Sequence, residues 1–80
     1  MMAAFVFVQV GGTGDWVDAR AIHDAMHAIA GVKTVHFVAG PVDIIAFVET
    51  ADMSALVEAV GKVRSLNGVA STDTRIVLPV

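Results

Sequence analysis

Apolar residues recur along this chain with two different periods. A period of two is typical of strands, and a period of three to four is typical of helices. The period of two predicts strands over residues 3–10, 33–39, 43–49 and 70–78. The longer period predicts one helix after the first strand and another after the third. The predicted order of elements is therefore βαββαβ.

The first and third predicted strands are apolar on both faces. In the first strand, Phe5 and Phe7 alternate with Val6 and Val8. The other two strands carry polar side chains, which are Thr34, His36, Asp73 and Arg75. A split βαβ, ferredoxin-like sandwich has its first and third strands at the centre of the sheet and the others at its edges. The sequence therefore predicts an α+β fold, a four-stranded antiparallel sheet with two helices on one face.

The apolar content of the chain predicts an assembly. Of its 80 residues, 56% are hydrophobic and 16% are charged. A small domain buries a limited share of its surface, and two helices cover one face of a four-stranded sheet. The other face would expose the apolar side chains of the central strands. We therefore expect two sheets to pack face to face in a dimer.

Four residues mark the predicted ends and interiors of the helices. Asp15 and Asp52 are expected to cap the two helices, and Gly31 is expected to end the first in a left-handed conformation. Gly61 lies inside the second helix, which suggests that another backbone packs closely there. The predicted core stripes are Val17, Ala21, Ile22, Ala25, Met26 and Ile29 in the first helix, and Met53, Leu56, Val57, Val60 and Val63 in the second.

Charge and cysteine content limit the classes of function. The net charge is −3 and the five Lys and Arg residues are scattered, so we expect no direct contact with nucleic acid. The chain has no Cys, which excludes a disulfide framework and a thiolate nucleophile and suits a cytoplasmic protein. Its apolar start is too short to span a membrane. No cofactor is predicted.

Three groups of residues could carry chemistry, but none forms a recognisable motif. The loop 11–15 reads GGTGD and matches a phosphate-binding loop poorly. His23 and His27 have a spacing that can bind a metal, yet two ligands alone do not define a metal site, so a solvated helix face is favoured. His36 could act as a base, but the sequence shows no partner to orient it.

The turn between the second and third strands carries the strongest functional signal. Its residues 40–43 read GPVD, which indicates a hairpin turn with Asp43 either bonded to nearby amides or bound to a ligand. The segment 31–43, GVKTVHFVAGPVD, resembles the effector-binding (RAM) domain of Lrp/AsnC-family transcriptional regulators. The end of the second helix at Leu66–Val69, with Thr72 and Thr74 before the last apolar run, fits the same family.

The resemblance implies a module that binds an amino acid or related small effector. Family members pair through their sheets, join into rings, often octamers, and bind effectors where dimers meet. The ligand-binding residues that it implies are Gly40, Val42, Asp43, Thr72 and Thr74. It implies no enzyme activity. Because no helix-turn-helix precedes the domain, residues 1–80 are expected to be a single stand-alone domain that modulates full-length regulators.

Two other interpretations remain open at this stage. Small dimeric α+β barrel enzymes of the monooxygenase or isomerase type use the same elements, and His36 would be the base. An ACT-like amino-acid-binding module shares the strand order but binds ligands near the first strand–helix loop, which is 11–15 here.

Overall fold

The computed structural model describes residues 1–11, 16–40 and 42–78, with residues 16–19 described by their backbone alone. It confirms the predicted order of elements. These are β1 (Met2–Val10), α1 (Trp16–His27), β2 (Val32–Phe37), β3 (Ile44–Thr50), α2 (Met53–Arg64) and β4 (Val69–Ile76). The predicted cap Asp15 and most of the loop 11–15 lie outside the described residues.

The four strands form one antiparallel sheet in the order β2-β3-β1-β4. The first and third strands are central, as their apolar faces predict. In register, Val6 lies opposite Ala46 of β3 and Thr74 of β4. The fold is therefore the predicted ferredoxin-like sandwich.

The core lies between the sheet and the helices. Alternate residues of the two central strands face the helices and are fully buried, namely Ala4, Val6, Val8, Ile44, Ala46 and Val48. The helices add Ile22, Met26, Leu56, Ala59 and Val63, and β2 adds Val35. Because these side chains are mostly Val, Ala and Ile, the helices can approach the sheet closely.

The opposite face of the sheet carries larger apolar side chains that the described part of the chain leaves uncovered. The rings of Phe5 and Phe47 lie 5.1 Å apart, and Phe5 is 43% exposed. The guanidinium of Arg75 lies 5.6 Å from the centre of the Phe7 ring and pairs with Asp73 at 2.9 Å. We call this surface the open face.

The core stripe predicted for α2 is wider than the part of the helix that is buried. Met53 and Val57 are 47% and 63% exposed, whereas Ala59, which was not predicted, is buried. In α1, Ala21 is likewise exposed. A helix that lies on a flat sheet touches it along a narrower arc than the apolar stripe spans. The predicted close packing at Gly61 is also wrong, since no atom of the described residues, apart from the backbone of α2 itself, lies within 4 Å of a Cβ built there.

The predicted cap at Asp52 and the left-handed conformation of Gly31 are confirmed, but Gly31 does not directly end α1. The Asp52 side chain accepts a hydrogen bond from the Ala55 amide at 2.9 Å. Helix α1 ends at His27, earlier than predicted, and Gly31 follows with a φ of 97°. A Cβ at Gly31 would lie 3.2 Å from the carbonyl oxygen of Glu49, so a side chain there would be crowded as well as strained.

Neither helix is long and apolar enough to cross a membrane within the described ranges.

Candidate functional site

The β2–β3 turn projects from one end of the sheet. The Val38 amide donates to the Asp43 carbonyl at 2.9 Å, which closes the turn. Within it Gly40 has a φ of 129°, a region that side chains disfavour, and no described atom outside the adjoining residues lies within 4 Å of where its Cβ would be. At Gly40 the turn therefore exposes its backbone to open space, where a ligand or a second chain can approach it.

Asp43 holds this turn against the centre of the sheet. Its amide donates to the Val8 carbonyl at 3.1 Å, and its Oδ2 accepts from the Val10 amide at 2.8 Å. The paired residues of β3 end at Ile44, so the carboxylate replaces the carbonyl that a longer β3 would offer to Val10. Of the two roles that the sequence left open for Asp43, bonding to nearby amides is therefore present. It occupies one oxygen of the carboxylate.

The two threonines of β4 lie on the helix side of the sheet. Thr72 and Thr74 are opposite Val8 and Val6 and are half-buried. Thr74 borders a groove of about 390 Å³ between α2 and β4. Its other lining residues are Met53, Leu56, Val57, Val60, Gly61, Arg64 and Ile76.

Sequence reasoning missed this groove because it assigned Met53 and Val57 to the core. The available signal was an apolar stripe on α2 wider than a helix contact on a sheet requires. Most of the residues that line the groove are apolar, and Thr74 and Arg64 are the polar ones among them.

The structure brings some of the predicted site residues together and separates others. Gly40, Val42 and Asp43 are neighbours in the turn. Thr72 lies two strands away, across β1, which corresponds to about 10 Å from Asp43, and Thr74 lies about 14 Å away. Within one chain these residues form two separate pieces.

A second cavity lies at the same end of the sheet, on the helix side. It has a volume of about 680 Å³ and is bordered by Gly11, Ile22, Ala25, Gly68 and neighbouring residues. The Gly11 amide donates to the Gly68 carbonyl at 2.9 Å, which ties the end of β1 to the start of β4. Gly11, which borders this cavity, is the first residue of the loop where an ACT-like module would bind its ligand.

The charged groups of the sheet lie mainly at its edges. The hydrogen bond from Arg75 to Asp73, with their mutual attraction, raises the pKa of the Arg75 guanidinium further above its ordinary value. His36 is exposed on β2 and lies opposite Ile45 of the open face. Among the residues the structure describes, no carboxylate is hydrogen-bonded to His36, and no group of three or more His, Cys, Asp or Glu side chains is placed to hold a metal ion.

Sequence comparison identifies the family. Residues 3–79 match the Lrp/AsnC ligand binding domain, which is nearly the whole chain. The chain belongs to the Lrp/AsnC ligand-binding domain family. The resemblance seen in the turn and in β4 is thereby confirmed. No curated protein matches the chain.

Several solved structures share the fold of this domain. TTHA0845 from Thermus thermophilus is 28% identical with a TM-score of 0.87, and the match covers 100% of this chain and 96% of that protein. FFRP-DM1 is 25% identical with a TM-score of 0.84, covering 98% and 100%. E. coli AsnC is 20% identical with a TM-score of 0.82, covering 99% of this chain and 53% of AsnC. This Lrp/AsnC domain thus spans nearly all of the first two proteins and about half of AsnC.

Family membership favours a regulatory, ligand-binding role over catalysis. The family is the ligand-binding domain found in regulators such as AsnC. Within the described part of the chain, the geometry around His36 does not support a role as a catalytic base. The turn, the β4 threonines and the two cavities are therefore considered as places for a small effector.

Proposed function

We propose that this Lrp/AsnC domain is a non-catalytic effector-binding and oligomerisation module. It binds an amino acid or a related small molecule and forms dimers that assemble further into rings. Residues 1–80 act as one domain in the cytoplasm and exert their effect on DNA through full-length Lrp/AsnC regulators. The family match over residues 3–79 is the observation that carries this proposal.

The open face supports the dimer. Phe5, Phe47 and Val77 expose apolar surface there, with Phe5 at 43% and Val77 at 45%. Contiguous apolar patches on small domains mark association surfaces. A second copy related by a twofold axis would present the same patch, so that each copy covers the apolar patch of the other. Arg75 and Asp73 lie toward the edge of this surface, where polar pairs remain hydrated.

The proposed effector site needs more than one copy of the chain. Asp43 lies about 10 Å from Thr72 and about 14 Å from Thr74 within one chain. Strand β1 stands between the turn and β4, and the two threonines are on the helix side of the sheet, so the two pieces do not face a common space within one chain. We therefore place the site where the turn of one dimer meets β4 of another, which joins the two pieces across an assembly contact.

The chemistry of these residues suits an α-amino acid. Turn amides near Gly40 can hold an α-carboxylate, because open space surrounds that backbone. Oδ1 of Asp43, or a threonine hydroxyl, can accept from an α-ammonium group while Oδ2 stays on Val10. A related structure, the Neisseria meningitidis regulator NMB0573, was solved in complex with L-Met, at 19% identity and a TM-score of 0.83. That complex supports an amino acid as the ligand class.

Thermal unfolding with each of the twenty amino acids tests the proposed function. A ligand at about 100 times its Kd stabilises the folded state by roughly 2.7 kcal/mol. For a domain of this size, that raises Tm by roughly 10 to 20 °C. We expect a selective rise with one amino acid or one chemical class. A flat response at millimolar concentration would contradict effector binding by amino acids.

Matched variants separate the effector site from the fold. Asp43→Asn keeps an oxygen that can accept from Val10 but removes the charge that would attract an ammonium group. Thr74→Val keeps the shape of that side chain and removes its hydroxyl. We expect each variant to fold and to lose most of the ligand-induced Tm rise, whereas Ser54→Ala, at an exposed position of α2, keeps it. An unchanged rise in both site variants would remove them from the site.

A second location for the ligand is favoured by one observation. The cavity of about 680 Å³ beside Gly11 is larger than the groove next to Thr74, and it lies where an ACT-like module binds. Hydrogen exchange with and without the ligand distinguishes the two. Slower exchange at the amides of Gly40 and Asp43 supports the turn site, and slower exchange at Gly11 and Gly68 alone supports the cavity.

A further inference from the structure

Two histidines of α1 lie side by side at its C-terminal end. His23 and His27 are four residues apart, so one helical turn separates them on the same face. Their ring centres are 4.7 Å apart and their ring planes meet at 69°. The effector site proposed above uses neither residue, and the pair is on a different element from the turn and β4.

The ring separation matches that of two imidazoles bound to one metal ion. A Zn²⁺ ion lies about 2.0–2.1 Å from each coordinating nitrogen, and therefore about 3.2 Å from each ring centre. At the tetrahedral bond angle of about 109°, the two ring centres would be about 5.2 Å apart, close to the observed 4.7 Å. The spacing therefore allows both rings to reach one ion once a nitrogen of each ring turns toward it.

Neighbouring groups orient His23 as a metal ligand requires. Its Nδ1 lies 3.2 Å from Oδ1 of Asp24. A carboxylate accepts hydrogen bonds, so this contact favours the neutral tautomer with the proton on Nδ1, in which Nε2 has a lone pair for a metal. Metal-binding histidines commonly have such a carboxylate partner. The ring of His23 also stacks on Phe37 of β2 at 5.2 Å and 21°, which restricts its rotation.

We propose that His23 and His27 form a two-histidine binding site for a divalent transition-metal ion of the Zn²⁺ type. The site lies in the last turns of α1, where the partial negative charge of the helix end favours a bound cation. No third His, Cys, Asp or Glu side chain completes it among the residues that the structure describes. Water or a donor atom from another molecule would fill the remaining coordination positions. This site does not depend on the proposed effector function.

Calorimetric titration with ZnCl₂ tests the site, and the third histidine supplies the control. His36 adjoins Phe37 on β2, but it lies opposite Ile45 and so belongs to the open face, the side of the sheet away from the helices. We expect the wild type to bind Zn²⁺, His23→Gln and His27→Gln to bind at least about tenfold more weakly, and His36→Gln to bind as the wild type does. His27 is exposed, so His27→Gln remains informative even if loss of the His23–Phe37 stacking disturbs the fold.

The role of Asp24 gives a second, independent readout. Asp24→Asn should weaken Zn²⁺ binding about 10- to 100-fold, the usual effect of removing such an outer partner. Nitrogen-15 NMR of the imidazoles should show Zn²⁺-dependent shifts at His23 and His27 but not at His36. The proposal is overturned if millimolar Zn²⁺ does not bind, if His27→Gln binds it as tightly as the wild type, or if His36→Gln abolishes binding.

Discussion

The two faces of the sheet have the same strands but different surroundings. On one face, Val6 and Ile44 are fully buried beneath the helices. On the other, Phe5 is 43% exposed, and Ile45 and Phe47 are only partly buried. Successive residues of β1 and β3 point to opposite faces of the sheet, and most of them are apolar on both faces. The difference therefore comes from what covers each face and not from the character of its residues.

This comparison supports the proposal that the open face contacts another molecule. A monomeric domain usually places polar side chains on an uncovered sheet face. Here the uncovered face carries the larger side chains, and two phenylalanine rings pack against each other at 5.1 Å. Aromatic side chains contribute strongly to protein interfaces. Family membership and this apolar surface both favour a sheet-to-sheet dimer.

Neighbouring isoleucines on opposite faces provide the strongest test of the comparison. Ile44 is fully buried, so Ile44→Ala should lower the free energy of unfolding by about 2–5 kcal/mol. Ile45→Ala removes the same atoms from the open face and should mainly weaken association. Chemical unfolding across a range of protein concentrations measures both. Equal losses at concentrations where the chain is monomeric would contradict the distinction between the faces.

A charge on the open face should prevent pairing of the sheets. Phe47→Asp places a carboxylate at the centre of the proposed interface, where desolvation of the charge opposes association. Light scattering after gel filtration should show a folded monomer. Val57→Asp is the matched control, because it adds the same charge to exposed α2 and should leave the dimer intact. A dimeric Phe47→Asp protein would place the interface elsewhere.

The anchor of the turn gives a smaller expected effect. Asp43→Ala leaves the Val10 amide without its carboxylate partner and should cost about 1–3 kcal/mol of unfolding free energy. Asp43→Asn should retain more than half of that stability. Thermal and chemical unfolding measure the two variants. If both are equally unstable, the charge of Asp43, and not its hydrogen bond, stabilises the turn.

The smallest expected change is stabilising. Gly61 lies inside α2, and within the part of the chain that the structure describes a Cβ there would meet no atom beyond the helix backbone within 4 Å. Gly61→Ala should therefore raise the free energy of unfolding by about 1 kcal/mol, through higher helix propensity. Gly31→Ala is the contrasting change, because its φ of 97° and its neighbours oppose a side chain. A loss of stability at Gly61 would indicate a contact that forms on assembly.

Sequence periodicity predicted the faces of the strands well because a strand places successive residues on opposite sides. It predicted α2 less well. An apolar stripe shows which side of a helix is buried, but its width does not show where contact ends. Met53 and Val57 therefore looked like core residues, although they border a surface groove.

The candidate site was only partly predictable from the sequence. The turn at Gly40 and Asp43 follows from local turn chemistry. The bond from the Val10 amide to Asp43 joins residues 33 positions apart, and no local pattern contains that information. The separation of Thr74 from the turn depends on strand order. In the sheet, β1 lies between β4, which carries Thr74, and β3, which follows the turn.

Sedimentation velocity of the wild-type chain over a concentration series tests the central claim most directly, because both the dimer and the proposed effector site require association. The account predicts a dimer or a larger multiple of the 8.3 kDa chain at micromolar concentration. A single species with the mass of one chain at those concentrations would contradict it.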